Sequence, residues 1–309
     1  MIASSSSRRD HRAAAGRRRA ASRCASLALA LLAFPAWADP APVPSSAATA
    51  AAPPPAAARL ARRDDDPCAT VWFRDGAKVQ MEADGAMPMS RHTVQQRPQV
   101  SGDTCTTQLQ IHSKTALAAL MEPPVTTDQQ YAVVIVPPRG GAPGHVEGGA
   151  VVDASGHYVR LHGETRSMGR GVFDYAHQDL SEGKELGGES VTSRASFVIY
   201  ARDSGDEVGR LEMPHATLQV ASRRVGKRQH IDTALGSIEC VPIRYERVTD
   251  LGPLQVAGDA IPTQPTVMQI TDWYCPSQGF VMRSDVEENG KVQRIDTTSI
   301  EALDATDEP

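Results

Sequence analysis

Residues 280–295 read Phe280-Val-Met-Arg-Ser-Asp-Val-Glu-Glu-Asn-Gly-Lys-Val-Gln-Arg-Ile295. Two runs that mix apolar and polar residues flank the dipeptide Asn289-Gly290, and alternation with a period of two is typical of a strand that buries one face. Both turn residues tolerate a positive φ, which a two-residue type I′ turn requires. This stretch therefore predicts a β-hairpin.

Similar strand signals occur throughout the chain upstream of this hairpin, bounded by Gly, Pro, Asp or Ser. A helix is suggested only over residues 114–121, where the following prolines would end it. Successive short strands predict an all-β fold, in which an antiparallel meander forms a half-barrel, an open barrel or a sandwich with at most one or two short helices. The clearest strand signals cover residues 71–73, 77–81, 106–111, 131–136, 158–161, 197–200, 217–221, 237–245 and 267–274.

The first 38 residues have the three parts of a secretory signal peptide. An apolar run extends from Ala25 to Phe34, and Ala36-Trp-Ala38 supplies the small residues that signal peptidase requires. This run is about ten residues long, whereas a membrane-spanning helix needs about twenty, so we expect cleavage and no integral membrane span. We therefore expect a periplasmic protein, with secretion or association with the outer surface as the alternative. The basic residues that precede the run are Arg8, Arg9, Arg12, Arg17, Arg18, Arg19 and Arg23.

Composition divides the remaining chain into regions. The 32 basic and 37 acidic residues become 25 and 36 when residues 1–38 are removed, which leaves a net charge of −11. Because such a charge repels polyanions, we expect no nucleic-acid partner. The expected regions are a disordered Ala/Pro-rich tether over 39–66, a β-rich folded region over 67–302 that could divide into 67–178 and 179–302, and a disordered tail over 303–309.

Four cysteines remain after cleavage, and an even number in an exported chain indicates disulfides. We favour the pairs Cys68–Cys105 and Cys240–Cys275, because each closes a loop within one region of the sequence. The alternative is a zinc site made by all four cysteines. No two of them have the short spacing that zinc sites favour, so the spacing indicates structural disulfides.

The order of motifs after residue 179 resembles that of the TapB-like secreted bacterial domains, which are related to DUF3108-type periplasmic β-domains. The resemblance covers residues 179–302 and implies a periplasmic or surface-exposed β-structure, such as the open half-barrels of lipoprotein carriers. It implies no active site. The residues that carry it are Leu180, Gly183, Leu186, Arg223, Arg224, Val225, Thr233, Ala234, Gly236, Cys240, Trp273, Tyr274, Gly279 and Val281.

The sequence contains no recognisable catalytic, cofactor-binding or metal-binding motif. The histidines lack the spacings of metal-binding motifs, and no serine lies in a Gly-x-Ser-x-Gly elbow. The glycine-rich run 140–149 lacks the Lys-Ser/Thr ending of a phosphate-binding loop and predicts a mobile loop. We therefore expect no cofactor and no catalytic or metal-binding residue.

A possible ligand surface is an apolar face that combines five side chains of the last strands, with ordinary core packing as the alternative. Three functions stay open. The first is a non-enzymatic exported domain that binds an apolar ligand, such as a lipid, or another envelope component. The second is an assembly module that binds another envelope protein, and the third is a hydrolase that uses dispersed His and Asp residues. The five side chains of the apolar face are Met268, Trp273, Tyr274, Phe280 and Met282.

Overall fold

A computed structural model of the protein describes residues 73–84, 88–115, 125–136, 143–176 and 178–301, and these residues form seventeen β-strands. The predicted signal peptide, tether and tail lie outside the described residues. The strands are β1 Lys78–Ala83, β2 Met89–Ser101, β3 Thr104–Thr115, β4 Val125–Val136, β5 Gly144–Ser155, β6 Val159–Gly171, β7 Glu185–Leu186, β8 Glu189–Ala201, β9 Glu207–Val220, β10 Arg223–Val225, β11 Gln229–Thr233, β12 Gly236–Asp250, β13 Leu254–Val256, β14 Asp259–Ile261, β15 Thr266–Cys275, β16 Phe280–Glu288 and β17 Lys291–Glu301.

Twelve of these strands form one closed antiparallel barrel. They pair in the order β1, β2, β3, β4, β5, β6, β8, β9, β12, β15, β16 and β17. Pairing of β17 with β1, in which Val79 lies opposite Ile300, closes the ring. The prediction of an all-β antiparallel fold is confirmed. The closed barrel is more specific than the expected half-barrel, open barrel or sandwich, because the two end strands pair with each other. Strands on both sides of residue 178 belong to this one barrel.

The five shorter strands extend the barrel wall at its two ends. β10 continues the path of β9 along β12 and also pairs with β7. β11 forms a hairpin with the first part of β12. At the opposite end, β13 pairs with β9 and forms a hairpin with β14. These additions leave one long wall in which β12 is bordered in turn by β11, β10 and β9.

Alternation along the strands separates an inner face from an outer face. In β5, Val146 and Val152 are buried, whereas Glu147 and Asp153 are exposed. The inner faces of β3 to β9, together with Leu251 and Leu254, build the largest apolar cluster, because successive side chains of a strand point to opposite sides. Its buried members are Leu109, Ile111, Val125, Tyr131, Val133, Ala150, Val152, Ala154, Leu161, Ala195, Phe197, Leu211, Met213, Ala216, Leu251 and Leu254.

Two local predictions differ from the structure. Lys114 and Thr115, at the start of the suggested helix, end strand β3, and the rest of that segment lies outside the described residues. No helix occurs in the described ranges, and so none there could cross a membrane. The second half of the glycine-rich run is not a mobile loop, because β5 begins at Gly144. Glycines in this strand still pair with β6, since a glycine backbone has both hydrogen-bonding groups.

Candidate functional site

Charged residues are placed on the inner face of the barrel by the alternation of the strands β8, β10, β12 and β15. On β12, Arg247 lies opposite Val220 of β9 and Met268 of β15, both of which are buried. Asp272 of β15 lies opposite the buried Ile243. Because directly opposite residues share a face, these charged groups point inward with the apolar ones. We call Tyr175, Glu189, Arg223, Tyr245, Arg247, Asp272 and Ser284 the inner polar cluster.

Asp272 is the acceptor at the centre of this cluster. Tyr175 and Tyr245 both donate their hydroxyl groups to its Oδ2, at 3.0 and 2.9 Å. Ser284 donates to its Oδ1 at 2.7 Å. Burial raises the pKa of Tyr175 and of Tyr245 well above the ordinary value, and the nearby Asp272 charge adds to this effect. Both phenols therefore stay protonated and remain donors to the carboxylate at neutral pH.

Glu189 and Arg223 form a salt bridge beside Asp272, and their side chains are only 2% and 5% exposed. Arg223 also donates to the carbonyl oxygen of Gly187 at 3.2 Å, and its guanidinium lies 5.1 Å from the centre of the Tyr245 ring. Burial raises the pKa of Glu189, although the charges of Arg223 and Arg247 favour its ionised form. Two contributions therefore oppose each other in this pair. The attraction between the two charges stabilises it, and the removal of both charges from water costs free energy.

Among the residues that the structure describes, several buried polar atoms of the inner face have no hydrogen-bond partner. They include the Nε atoms of Arg223 and Arg247, and both polar side-chain atoms of Gln95, which is 2% exposed. Arg247 directs Nη2 to the sulfur of Met268 at 3.0 Å, and a thioether is only a weak acceptor. Buried polar groups in folded proteins nearly always have a partner, so these atoms indicate places for water or a ligand.

Half-buried residues on the inner face indicate a space inside the barrel next to the cluster. Eight strands give a barrel just wide enough to be filled by side chains, and a ring of twelve is wider. Ser193 and Val191 face inward, because they lie opposite Ala216 and Leu218, yet both are only half-buried. The same is true of inner-facing residues on β6, β12, β16 and β17. We call this space the inner chamber, and its half-buried wall residues are Thr165, Ser167, Val191, Ser193, Tyr245, Arg247, Ser284, Val286 and Ile295.

The five residues of the predicted apolar face do not form one surface. Tyr274 packs in an inner cluster with Tyr175, and Met268 contacts Arg247. Trp273, Phe280 and Met282 pack in a different cluster around Cys240 and Cys275, and Phe280 also packs against Phe73 and Cys105. Neighbouring strand residues point to opposite sides, and a register shift occurs between Trp273 and Tyr274, so the five side chains are distributed over more than one cluster. Ligand binding by these residues stays a prediction.

The cluster that contains Trp273, Phe280 and Met282 surrounds a disulfide. Cys240 of β12 and Cys275 of β15 are bonded, with their Cα atoms 4.1 Å apart, as the sequence predicted. Ile231 and Ile238 of the β11–β12 hairpin pack against this bond. Cys105 is also disulfide-bonded. The expected partner Cys68 lies outside the described residues, so the Cys68–Cys105 pair stays a prediction.

In the described part of the chain, three histidines form pairs with carboxylates. The pairs are His112–Asp128 at 2.7 Å, His162–Asp153 at 2.9 Å and His145–Glu147 at 3.0 Å. The hydrolase hypothesis needs two of His157, His162, His177, His215 and His230 near a carboxylate or nucleophile. Of these, His162 alone has such a partner among the described residues, and His177 is outside them. Within the described ranges, no three His, Cys, Asp or Glu side chains are placed to hold one metal ion.

The inner polar cluster was missed at the sequence level, although one signal for it exists. In Val267-Met-Gln-Ile-Thr-Asp-Trp-Tyr274, the residues at even positions are Met268, Ile270, Asp272 and Tyr274. A carboxylate thus occupies a position where the alternation expects an apolar residue. Arg247 interrupts the inner positions of β12 in the same way. Burial of a charged group costs free energy unless the group is paired, so charged residues at such positions indicate a polar cluster in the interior.

Comparison with known proteins gives only distant likenesses. No family model matches the sequence, and no curated protein does either. A “putative exported protein with YmcC-like fold” from Bacteroides fragilis is 11% identical, with 74% of this chain and 96% of that chain covered and a TM-score of 0.39. A “putative lipoprotein” from Parabacteroides distasonis is 11% identical, with 75% and 98% covered and a TM-score of 0.42. A β-barrel-like protein of domain of unknown function DUF1849 from Brucella abortus is 10% identical, with 74% and 97% covered and a TM-score of 0.33. None of these names is that of a TapB-like domain, so that resemblance stays a prediction.

Proposed function

We propose that this chain is an exported, non-catalytic binding protein that holds a small amphipathic anion in the inner chamber. The observation that carries the proposal is Arg247, a half-buried guanidinium on the chamber wall whose Nε has no partner. A guanidinium presents several fixed donors that suit a carboxylate or phosphate. An anionic group at Arg247 would replace the weak contact with Met268 by strong hydrogen bonds.

The charges of the barrel wall support an anionic ligand. Among the described strand residues, the arginines Arg91, Arg223 and Arg247 face inward, as do the carboxylates of Glu189 and Asp272. Burial lowers the pKa of Arg91 to about 10, so this arginine is still charged at neutral pH. Asp272 is satisfied by three hydroxyl donors and Glu189 by Arg223. Arg247 forms no ion pair with a carboxylate among the described residues, so an anionic group of a ligand would balance its charge.

The rest of the chamber wall favours a ligand with an apolar part. Val191 lies opposite Leu218, and Val286 lies opposite Ile270, so two apolar pairs border the space beside the cluster. Burial of apolar ligand surface stabilises a complex by roughly 25 cal/mol per Å². A fatty acid or another acyl-chain anion has both features, and the exported location expected from residues 1–38 would give access to envelope lipids.

A fluorescent acyl anion, 11-(dansylamino)undecanoic acid, tests this proposal when its binding is compared with that of its methyl ester. We expect the acid to bind, and Arg247→Gln to weaken its binding about tenfold, since loss of a charged hydrogen bond costs roughly 1.5–3 kcal/mol. The affinity for the uncharged ester should be similar in the unchanged protein and in Arg247→Gln.

The matched control is Arg210→Gln. Arg210 pairs with Glu207 and has a 64% exposed side chain, so this variant removes a charge far from the chamber wall and should bind the acid as the unchanged protein does. Failure of the unchanged protein to bind the acid, or equal loss in both variants, would refute the proposal.

A further inference from the structure

Five chemically related side chains lie in one row across the outer face of the barrel. Each is directly opposite the next on five adjacent strands. His92 of β2 lies opposite His112 of β3, which lies opposite Asp128 of β4. Asp128 lies opposite Asp153 of β5, and Asp153 lies opposite His162 of β6. Directly opposite residues share a face and have Cβ atoms about 4.5–5.5 Å apart, so the row is continuous.

The row is accessible to solvent and partly organised. His112 and Asp128 have side chains that are 56% and 66% exposed, and their Nδ1 and Oδ1 atoms are 2.7 Å apart. His162 and Asp153 form the same contact at 2.9 Å on the other side of the row. His92 is exposed at the first position. Each of the two carboxylates in the middle of the row therefore contacts the histidine that lies next to it toward the nearer end of the row.

The contact with Asp128 determines which nitrogen of His112 is available. An ionised carboxylate only accepts hydrogen bonds, so Nδ1 of His112 carries the proton and donates it to Asp128. In the neutral ring, the lone pair is then on Nε2. Histidines that bind metal ions commonly have this arrangement, in which a carboxylate orients the ring and increases the basicity of the ligating nitrogen.

We propose that His92 and His112 together bind a divalent transition-metal ion of the Zn²⁺ or Cu²⁺ type on the outer face of the barrel. The two imidazoles supply the nitrogen ligands, and water completes the coordination sphere. Asp128 is a positioning residue that acts through His112. Imidazole suits these ions, whereas Mg²⁺ and Ca²⁺ prefer oxygen ligands. This site is separate from the inner chamber, so it does not depend on the proposed ligand.

The other end of the row provides a comparison within the same molecule. His162 has the same contact with a carboxylate, but its neighbour on β8 is Val198 and not a second histidine. A single imidazole gives a much weaker site than two. The geometry therefore assigns metal binding to the His92 end and not to the His162 end.

Calorimetric titration of the full chain, prepared without an affinity tag and freed of metal, tests the site with Zn²⁺ and Cu²⁺. In separate titrations, we expect one Zn²⁺ or one Cu²⁺ to bind per chain. His92→Gln and His112→Gln should each reduce the affinity at least tenfold. Asp128→Asn should reduce it about 10- to 100-fold, as loss of such a supporting carboxylate does in known metal sites.

His162→Gln is the matched control, and its affinity should equal that of the unchanged protein. Thermal unfolding of each variant shows whether the barrel is retained, because these exposed side chains should change the melting temperature little. The proposal is overturned if the unchanged protein binds neither ion. It is also overturned if His162→Gln weakens binding as much as His112→Gln, or if His92→Gln leaves the affinity unchanged.

Discussion

Glu189 and Arg223 form a buried ion pair in the barrel interior. Both side chains are almost completely removed from solvent, and each is the ionic partner of the other. Removal of two charges from water costs several kcal/mol per ion, so the intact pair contributes little net stability. Loss of one partner is different, because the remaining charge then stays buried without compensation. The pair therefore acts mainly as a constraint on which strands lie together.

Arg223→Met should destabilise the protein by about 3–5 kcal/mol near pH 7.5 and by less near pH 5. Burial raises the pKa of Glu189 in the folded state. Between the unfolded and the folded pKa, the folded protein therefore retains a proton that the unfolded chain releases. Stability from such a group is present below its unfolded pKa and is lost as the pH rises through its folded pKa. Without Arg223 this pKa rises further, and the loss at higher pH grows.

Urea unfolding at both pH values measures this effect, and the double variant Glu189→Gln/Arg223→Met is the control. The double variant should lose most of the difference between the two pH values, because it contains no ionisable group at position 189. Equal destabilisation of Arg223→Met at pH 5 and pH 7.5 would contradict the explanation.

At the level of elements, β6 and β8 show how a glycine allows two strands to carry an aromatic side chain. Gly163 lies opposite Phe197. A Cβ at Gly163 would be 2.0 Å from the carbonyl oxygen of Ser196 and 2.7 Å from Cα of Phe197. The Phe197 ring, which is 2% exposed, occupies the space beside the glycine and joins the apolar cluster. An aromatic side chain over a glycine is a known means of stabilising a strand pair.

Gly163→Ala should destabilise the protein by about 3 kcal/mol, because the clash involves backbone atoms that cannot move without a shift of β8. Gly209→Ala is the control, since its Cβ would meet only Ala257 and Ile199 side-chain atoms at 3.9 and 4.0 Å. The free energy of unfolding in urea should be nearly unchanged in that control. Similar losses in both variants would show that the contact with β8 is not the cause.

At the level of the whole molecule, closure of the ring is the dominant feature. The pairing of β1 with β17 joins the two ends of the chain of strands, and the pairing of β6 with β8 joins the strands before residue 178 to those after it. A sheet with free edges exposes unpaired backbone groups, and closure removes such edges. The same closure creates an interior that is wide enough for both an apolar cluster and a polar one.

Residues 67–178 alone should not fold. In this fragment β1 lacks β17 and β6 lacks β8, so two edges and much of the apolar cluster would be exposed. We expect a two-dimensional amide NMR spectrum with little chemical-shift dispersion, in contrast to that of the full chain. A well-dispersed spectrum of the fragment would mean that this half is an independent domain.

Local features of this protein follow from the sequence by itself. Asn289 and Gly290 have φ values of 53° and 74°, so the predicted hairpin turn is confirmed, because the turn conformation depends on those two residues. Strand identity follows from alternation, and the Cys240–Cys275 bond joins residues of neighbouring strands that the sequence already indicates. The tertiary structure alone decides which strands become neighbours. Val79 pairs with Ile300, and His92 pairs with His112. Alternation with a period of two shows which face each residue occupies, but it does not specify which residues of two strands lie opposite each other. Ring closure, the inner polar cluster and the outer histidine row therefore depend on long-range pairing, which no local pattern specifies.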